Sequence, residues 1–498
     1  MQKNAIPPGQ QAPWALMNAP GVTSLKLAAS TSMDPFDALP LKMPFKSQEL
    51  YHYFYQTGAA FAVAPSDPKD DCFALATLDE HALRSTILIA GVHYLWNTGN
   101  SQAYESAFLF HKIESIRIIN TWLKVSDSKT FVVCVRQILT ICLAEACLGN
   151  LPAAETHLNG IMALFNSRTQ EDSAFNSTDD RNTELANRYL LLASCFVLIL
   201  KSRLEDFMVF RASQGINSYQ NDSSAEALQL MKMWHVREYG GLNTRLKAMR
   251  LFPYFFSPPP LNRRPKPIDA LPIFECLKSI TKTIDQFRIN PTAEGLDQVW
   301  NEGGPTKLLL VVVDAHVSSL TRNDEILGFS SEENLPQSHL QTSWSGILAT
   351  AALYMHSVLN IANAGEAIEC RLLYRILLIM KQDIDQTRDD LSGDRGGLYQ
   401  TLWFWKVFIG ALALGRSQGT HIAIDMKTAK PSVKCSCETN LEELHDWFRN
   451  NVRAWSVVTG KKTWKDAEPV LATLAWPAVL SQSERDYAAS SWAEGISE

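Results

Sequence analysis

Apolar residues recur along most of this chain at gaps of three and four, which is the period of an amphipathic helix. The segment "AYESAFLFHKIESIRIINTWLK" shows the pattern. Its apolar positions are Leu109, Ile113, Ile116, Ile119 and Leu123. We therefore expect this stripe to pack on the core. His111, Glu114 and Thr121 would then lie on the opposite side of the helix.

Residues that begin and end helices flank these segments. Asp79 is an acidic cap before one helix that stops at Gly99, and Gly149 ends "SKTFVVCVRQILTICLAEAC" as its C-terminal glycine. The apolar stripe of that second helix is Phe131, Val135, Ile138, Cys142 and Ala146. Asn150 then caps a further helix with Pro152 in its first turn. Because the turn between these two helices is so short, they should be antiparallel neighbours.

Helical patterns continue towards the C-terminus, and no segment alternates convincingly like a strand, so the sequence predicts an all-α multi-helix array. Prolines recur in "FSPPPLNRRPKPIDALP" and exclude a continuous helix there. We expect a flexible leader over 1–45, a first helical half over 46–255 and a second helical half over 273–498. A proline-rich linker or loop over 256–272 would join the two halves.

Composition and charge narrow the class of protein. Of the 498 residues, 46% are hydrophobic and 20% charged, which is ordinary for a globular protein. The formal net charge of -6 shows no excess of positive charge of the kind that indicates nucleic-acid binding. Nine widely spaced cysteines indicate buried thiols in a reducing compartment. The longest apolar run, Tyr189 to Leu200, is shorter than the ~20 residues of a membrane span, so we expect no membrane association.

One short motif could carry catalysis. Residues 415–419, "GRSQG", match the G-x-S-x-G nucleophile elbow of many hydrolases, with Ser417 in the nucleophile position. An elbow needs a strand before the serine and a helix after it. The residues before Ser417 have helical character and those after it form no sustained helical pattern, so we interpret the motif as a helix C-terminus. His421 and Asp425 lie downstream of Ser417, so the sequence does not exclude a Ser–His–Asp catalytic triad.

Other candidate sites are weaker. Cys435 and Cys437 form a C-x-C pair without a second pair or a histidine at ligand spacing, so we expect no zinc. A nuclear import signal could be formed by Arg263, Arg264 and Lys266, which otherwise belong to a solvated linker. No phosphate-binding loop, dinucleotide fingerprint or HExxH motif occurs in the sequence, and we predict no cofactor and no metal.

Several segments resemble the regulatory domain of fungal-specific transcription factors. "DPFDALPLKMPFKSQELYHYFYQ" resembles the opening of that domain, and "EACLGNLPAAETHLNGIMALFNSR" is similar to its G-N-x-x-x-A-x-x-H-x-x-G-x-x-x-L helix. "VRAWSVVTGKKTWKDAEPVLATLAWP" looks like its C-terminal ending. The resemblance runs, with gaps, from about Asp34 onwards and implies the all-helical fold of that domain. Such factors start with a zinc binuclear cluster of six cysteines. Since residues 1–71 contain no cysteine, we expect this chain to lack that DNA-reading module.

The resemblance implies a transcription regulator-like protein of a fungal metabolic or secondary-metabolite gene cluster, located in the nucleus or otherwise in the cytoplasm. It would act through a protein partner or as a homodimer, with a small molecule as effector and without direct DNA binding. One alternative is an accessory small-molecule-handling protein or an enzyme of a biosynthetic pathway, with the helical bundle used as a cavity. Another is a scaffold or dimeriser.

We predict that the purified chain alone shows no sequence-selective binding to duplex DNA. Specific binding needs clustered cations on the phosphates to position a reading element in a groove, and this chain is net acidic. A gel-shift titration at several salt concentrations tests the prediction. Salt-sensitive, selective binding without a partner would contradict it.

Overall fold

Helices account for nearly all regular structure in the computed structural model. The residues that it describes are 39–59, 79–124, 128–171, 181–213, 238, 240–256, 265–291, 297–320, 339–361, 368–393, 396–428 and 436–497. The helices of the first half are α1 (Ser47–Ala59), α2 (Glu80–Thr98), α3 (Glu105–Trp122), α4 (Ser128–Cys147), α5 (Leu151–Glu171), α6 (Arg181–Ser213) and α7 (Gly241–Phe256). Those of the second half are α8 (Leu271–Ile289), α9 (Asp297–Asn301), α10 (Gly304–Leu320), α11 (Trp344–Leu353), α12 (Cys370–Gln386), α13 (Gly397–Thr428), α14 (Ser436–Thr459), α15 (Trp464–Leu474) and α16 (Gln482–Ile496). The all-α prediction is confirmed.

The local signals for helix boundaries act as the sequence predicts. The Asp79 carboxylate accepts the backbone N–H of Ala82 at 2.7 Å and caps α2, and Gly99 ends that helix with φ 74°. A side chain at that φ would be strained, which explains the glycine. The helices α4 and α5 follow each other after a turn at Gly149 and pack together. The predicted stripe of α4, from Phe131 to Ala146, is buried.

The prediction for α3 is wrong, except that Ile119 is buried and Thr121 is exposed as expected. Its buried residues are Ala107, His111, Ser115 and Ile119, whereas the remaining members of the predicted apolar stripe face outwards. Those exposed residues are Leu109, Ile113, Ile116 and Leu123. The physical reason is that α3 packs against polar side chains of α1 and α4, and their hydrogen bonds hold the polar side of α3 inwards.

The end of the proline-rich segment is packed rather than free. Ile268 and Asp269 form strand β1, which pairs antiparallel with β2 (Gln341–Thr342) in a two-stranded sheet, and α8 already begins at Leu271. The Asp269 carboxylate accepts the backbone N–H groups of Leu271 and Leu340, each at 3.1 Å. The helical α7 extends to Phe256, so both ends of the predicted 256–272 linker belong to helices.

Tryptophans tie the helices of the second half together. The indole N–H of Trp344 on α11 donates to the carbonyl of Val312 on α10 at 2.8 Å. On α13, Trp403 donates to Ile384 of α12 and Trp405 donates to Ala475 after α15. All three tryptophans are buried, so each contributes a large apolar surface and still satisfies its one polar atom.

The two halves share one hydrophobic core. The helix α7 packs against α10, and α6 packs against α11. At the second contact the buried Arg188 of α6 donates from Nε to Glu184 at 2.7 Å and from Nη1 to Ser319 of α10 at 2.8 Å, with His316 Nδ1 3.1 Å away. Ser345 of α11 donates to the same Glu184 carboxylate at 2.8 Å. The network therefore fixes α6 on two helices of the second half.

A second buried ion pair lies within the second half. The Nζ atom of Lys406 on α13 is 2.6 Å from Asp383 Oδ2 on α12 and donates to Thr342 Oγ1 of β2 at 2.7 Å. Both side chains are at most 3% exposed. Gly346 of α11 lies directly against the Asp383 carboxylate, which a Cβ atom at that position would overlap. The close approach of the two helices therefore requires a glycine.

We predict that Gly346→Ala lowers the free energy of unfolding by about 2–4 kcal/mol, because it displaces Asp383 and leaves Lys406 without its buried partner. The matched control is Gly160→Ala on α5, where a Cβ meets open space. The control should stabilise by about 0.5–1 kcal/mol, as expected for an exposed helical site. Chemical denaturation followed by circular dichroism measures both. Equal effects of the two substitutions would contradict the packing described.

Candidate functional site

An apolar pocket lies where helices of both halves meet. Its cavity has a volume of about 90 Å³, and its mouth is open to solvent. On α6 the lining residues are Leu192, Cys195, Phe196, Ile199 and Leu200. Their gaps of three and one place them on one face of that helix. The pocket thus begins one turn beyond the Arg188 network.

The second half supplies the opposite wall. Pro305, Leu308, Leu309 and Val312 of α10 line the pocket together with Leu348 of α11. Met355 completes this wall from a π-helical turn, Tyr354–Val358, that directly continues α11. Here the backbone N–H of Leu359 reaches back to the carbonyl of Tyr354. This π-turn forms the C-terminal end of the helix and places Met355 at the pocket wall.

One end of the pocket is polar. Arg245 of α7, which is 8% exposed, forms an ion pair with Glu238 and donates from Nη2 to Thr306 Oγ1 at 3.2 Å. A Cβ at Gly241 would come within 2.7 Å of the Glu238 side chain, so this glycine permits the pair to form. The guanidinium of Arg203 lies nearby, over the ring of Trp300 at 4.8 Å from its centroid.

Burial shifts the pKa of this arginine. Removal from water and the neighbouring Arg203 together lower the pKa of Arg245 to about 9. A partly desolvated guanidinium interacts strongly with a carboxylate or another acceptor, since little water competes. Burial also disfavours the ionised form of the Cys195 thiol, because it raises the pKa of this thiol to about 12. Since the thiolate is the nucleophilic form, the arrangement suits binding better than covalent chemistry at Cys195.

The G-x-S-x-G motif lies inside a helix. The helix α13 runs without interruption from Gly397 to Thr428, so the expected C-terminus near Ser417 and the expected loss of helix after it are both wrong. The side chains of Ser417, His421 and Asp425 lie outside the described residues. Packing explains the glycine at position 415, because a Cβ atom there would be 2.5 Å from the hydroxyl of Tyr487 on α16. No strand precedes Ser417 in this helix, so the backbone lacks the geometry of an elbow.

Most of the remaining candidates of the sequence lie outside the described residues. Arg263 and Arg264 lie outside the described residues, and the backbone N–H of Lys266 donates to the carbonyl of Ser319 on α10 at 2.9 Å. Cys435 and the side chain of Cys437 also lie outside the described residues. Within the described ranges no group of three or more His, Cys, Asp and Glu side chains could hold a metal ion.

Two helices are long and apolar enough to meet the composition of a membrane span. They are Thr130–Cys147 in α4 and Thr183–Glu205 in α6. In the structure 89% of the first stretch and 72% of the second are buried against other helices. Burial inside the protein thus accounts for their apolar character.

Comparison with protein-family models, with curated proteins and with solved structures finds no match to this chain. The pocket was not found by sequence reasoning. Its walls come from Trp96, α6, Arg245, Trp300 and α10, which are far apart in the sequence. The sequence signal for the pocket is an arginine within an apolar helical segment, Arg245 in "GLNTRLKAMRLF". This signal is weak without the tertiary contacts.

We predict that Leu309→Trp at the pocket wall weakens the binding of an anionic apolar dye, anilinonaphthalene sulfonate, at least ~10-fold, because the larger ring occupies the site. The matched control is Leu310→Trp, the next residue of α10, which is also half-buried but does not line the pocket. Fluorescence titration of the purified variants measures both. Equal affinities for the two variants would place the dye elsewhere.

Proposed function

We propose that this chain is a regulator-like protein whose helical body binds a small apolar molecule with an acidic or strongly accepting group. The observation that carries the proposal is the pocket at the junction of the two halves, with Arg245 and Thr306 at its polar end. Apolar walls with a few fixed polar groups are the usual character of small-molecule sites.

The chemistry of the pocket favours an amphipathic ligand. The pocket presents aliphatic surface from Leu192, Leu308, Val312 and Leu348. An apolar chain or ring that covers this surface stabilises the bound state. The guanidinium of Arg245 is paired with Glu238 at this end, so a carboxylate that reaches it would share the guanidinium with Glu238. An aliphatic or aromatic carboxylic acid fits both requirements.

The position of the pocket supports a regulatory use. A ligand there covers α6 of the first half and α10 and α11 of the second half at the same time. Binding therefore favours the relative arrangement of the helices that closes around the ligand, and it can shift the population of a second arrangement. The size of that shift equals the difference of the ligand's affinity for the two states.

The resemblance to the fungal regulatory domain supports transcription as the process that is regulated. In this proposal the chain acts in the nucleus through a protein partner that supplies DNA binding, on genes of a metabolic or secondary-metabolite cluster. The second candidate function is an accessory protein or enzyme that handles a small molecule in a biosynthetic pathway. The same pocket favours it, whereas the raised pKa of Cys195 argues against this thiol as its nucleophile.

A tethering experiment tests the regulatory function. The full chain is fused to a heterologous DNA-binding module in a fungal reporter strain, and the same fusion is made with Leu309→Trp and with Leu310→Trp. We expect reporter output from the parent and from the Leu310 variant, and an altered output from the Leu309 variant.

The result also separates the two candidates. A fusion that leaves the reporter unchanged in all three forms would overturn the regulatory proposal. If the purified chain then converted a bound carboxylic acid to a product, as followed by mass spectrometry, the accessory or enzymatic function would replace it.

A further inference from the structure

Three tyrosines meet where the first three helices of the chain come together. Tyr53 lies on α1, Tyr94 lies on α2, and Tyr104 directly precedes α3. The ring centroid of Tyr94 is 5.0 Å from that of Tyr53, with 81° between the planes, and 4.7 Å from that of Tyr104, with 90° between the planes. We call these three residues the tyrosine cluster. Each of them is half-buried, so part of each ring is exposed to solvent.

The perpendicular packing leaves ring faces available to a ligand. In an edge-to-face pair, the edge of one ring covers one face of the other, and the two remaining faces at their corner stand at right angles. Among the described residues, the ring of Tyr104 packs against the ring of Tyr94 alone, so at least one face of Tyr104 has no aromatic neighbour. The face of a tyrosine ring is the negative part of its quadrupole and attracts a cation within about 6 Å of the centroid.

A carboxylate adds negative charge to the cluster. Glu49 lies one helical turn before Tyr53 on α1, so the two side chains share one side of that helix. Glu49 is exposed and forms no ion pair with the residues that the structure describes. Burial, the Glu49 carboxylate and the phenols of Tyr94 and Tyr53 together raise the pKa of Tyr104 to about 12. The carboxylate and the three phenols are therefore close to one another.

The nearest cation of the protein acts on another part of the cluster. Arg250 of α7 donates from Nε to His93 Nε2 at 3.3 Å, and the His93 ring is 6.2 Å from the ring of Tyr53. Burial lowers the pKa of Arg250, and the Tyr53 phenol opposes that shift. Arg250 is not among the groups that shift the pKa of Tyr104. A second cation can therefore approach the side formed by Tyr104 and Glu49.

The composition of the cluster favours a quaternary ammonium group over other cations. A primary ammonium group is a compact charge that holds its water strongly, and removing that water has a high cost in free energy. A quaternary ammonium group has no N–H donor and presents methyl groups, so aromatic faces replace its water at a lower cost. Aromatic rings are the usual surroundings of choline and of methylated lysine in proteins.

We propose that the tyrosine cluster and Glu49 form a binding site for a ligand that carries a quaternary ammonium group. None of these four residues lines the apolar pocket, so the site is separate from the one that carries the proposed function. A bound ligand would contact α1, α2 and the start of α3 at the same time. For a ligand as small as choline we expect a dissociation constant on the order of 0.1–1 mM.

Choline and its uncharged isostere, the alcohol in which a carbon atom replaces the nitrogen, test the need for charge. Saturation-transfer NMR titrations of the full chain measure both dissociation constants. We expect choline to bind at least ~10-fold more tightly, because the two molecules have the same shape and differ in charge. A blocked tripeptide with a central trimethyllysine is titrated in the same way. Tighter binding of choline would indicate a free metabolite as the ligand, and tighter binding of the tripeptide would indicate a methylated protein.

Substitutions locate the site. Tyr104→Leu should weaken choline binding at least ~10-fold, whereas Tyr104→Phe keeps the ring and should weaken it less than about two-fold. Glu49→Gln should weaken it about three-fold, because it removes a charge at the exposed edge of the site. The side chain of Tyr104 makes no capping hydrogen bond to α3, so these variants retain the start of that helix.

Two controls accompany these variants. Tyr374→Leu makes the same change at a half-buried tyrosine of α12, and Leu309→Trp alters the apolar pocket; both should leave choline binding unchanged. Circular dichroism checks that every variant is folded. Equal affinities for choline and its isostere, or no binding of choline and of the tripeptide, would overturn the proposal. Equal effects of the leucine substitutions at Tyr104 and Tyr374 would also overturn it.

Discussion

The buried guanidinium of Arg188 is the interaction on which the arrangement of the two halves depends. It lies 2% exposed on α6 and engages Glu184 on the same helix and Ser319 on α10, while Ser345 of α11 completes the network from the second half. A charge removed from water is tolerated only where its donors and its countercharge are satisfied. That requirement fixes the register of α6 against two helices that are more than a hundred residues away in the sequence, and a purely apolar contact would be far less specific.

The pocket follows from the same junction. The α6 face that carries Arg188 continues through Leu192, Phe196 and Ile199, and the α10 face that carries Ser319 and His316 continues back through Val312 and Leu308. Polar groups hold the helices together at one end, and aliphatic groups surround empty space at the other. The arginine at the far end of this space, Arg245, is again paired with a carboxylate, Glu238. A ligand would therefore contact aliphatic side chains in the middle of the pocket, between two ends that are held by ion pairs.

Buried polar groups also determine which side of α3 is exposed to solvent. In α3 His111, which the pattern assigns to the solvent, makes an inward contact, whereas Leu109, Ile113, Ile116 and Leu123, which the pattern assigns to the core, are exposed. Helical periodicity identifies two faces of a helix, and it does not say which one faces the parent core when both can be covered. The neighbours Ser47 and Gln137, from α1 and α4, make that choice through hydrogen bonds.

The sequence by itself determined the all-α fold, the caps at Asp79, Gly99 and Gly149, and the buried stripe of α4, because these depend on residues within one helix or one turn. Tertiary structure alone decided the continuation of α13 past Ser417, the orientation of α3 and the existence of the pocket. Each of these depends on contacts between distant segments, such as Gly415 with Tyr487 or Arg188 with Ser319, and no local pattern encodes such contacts.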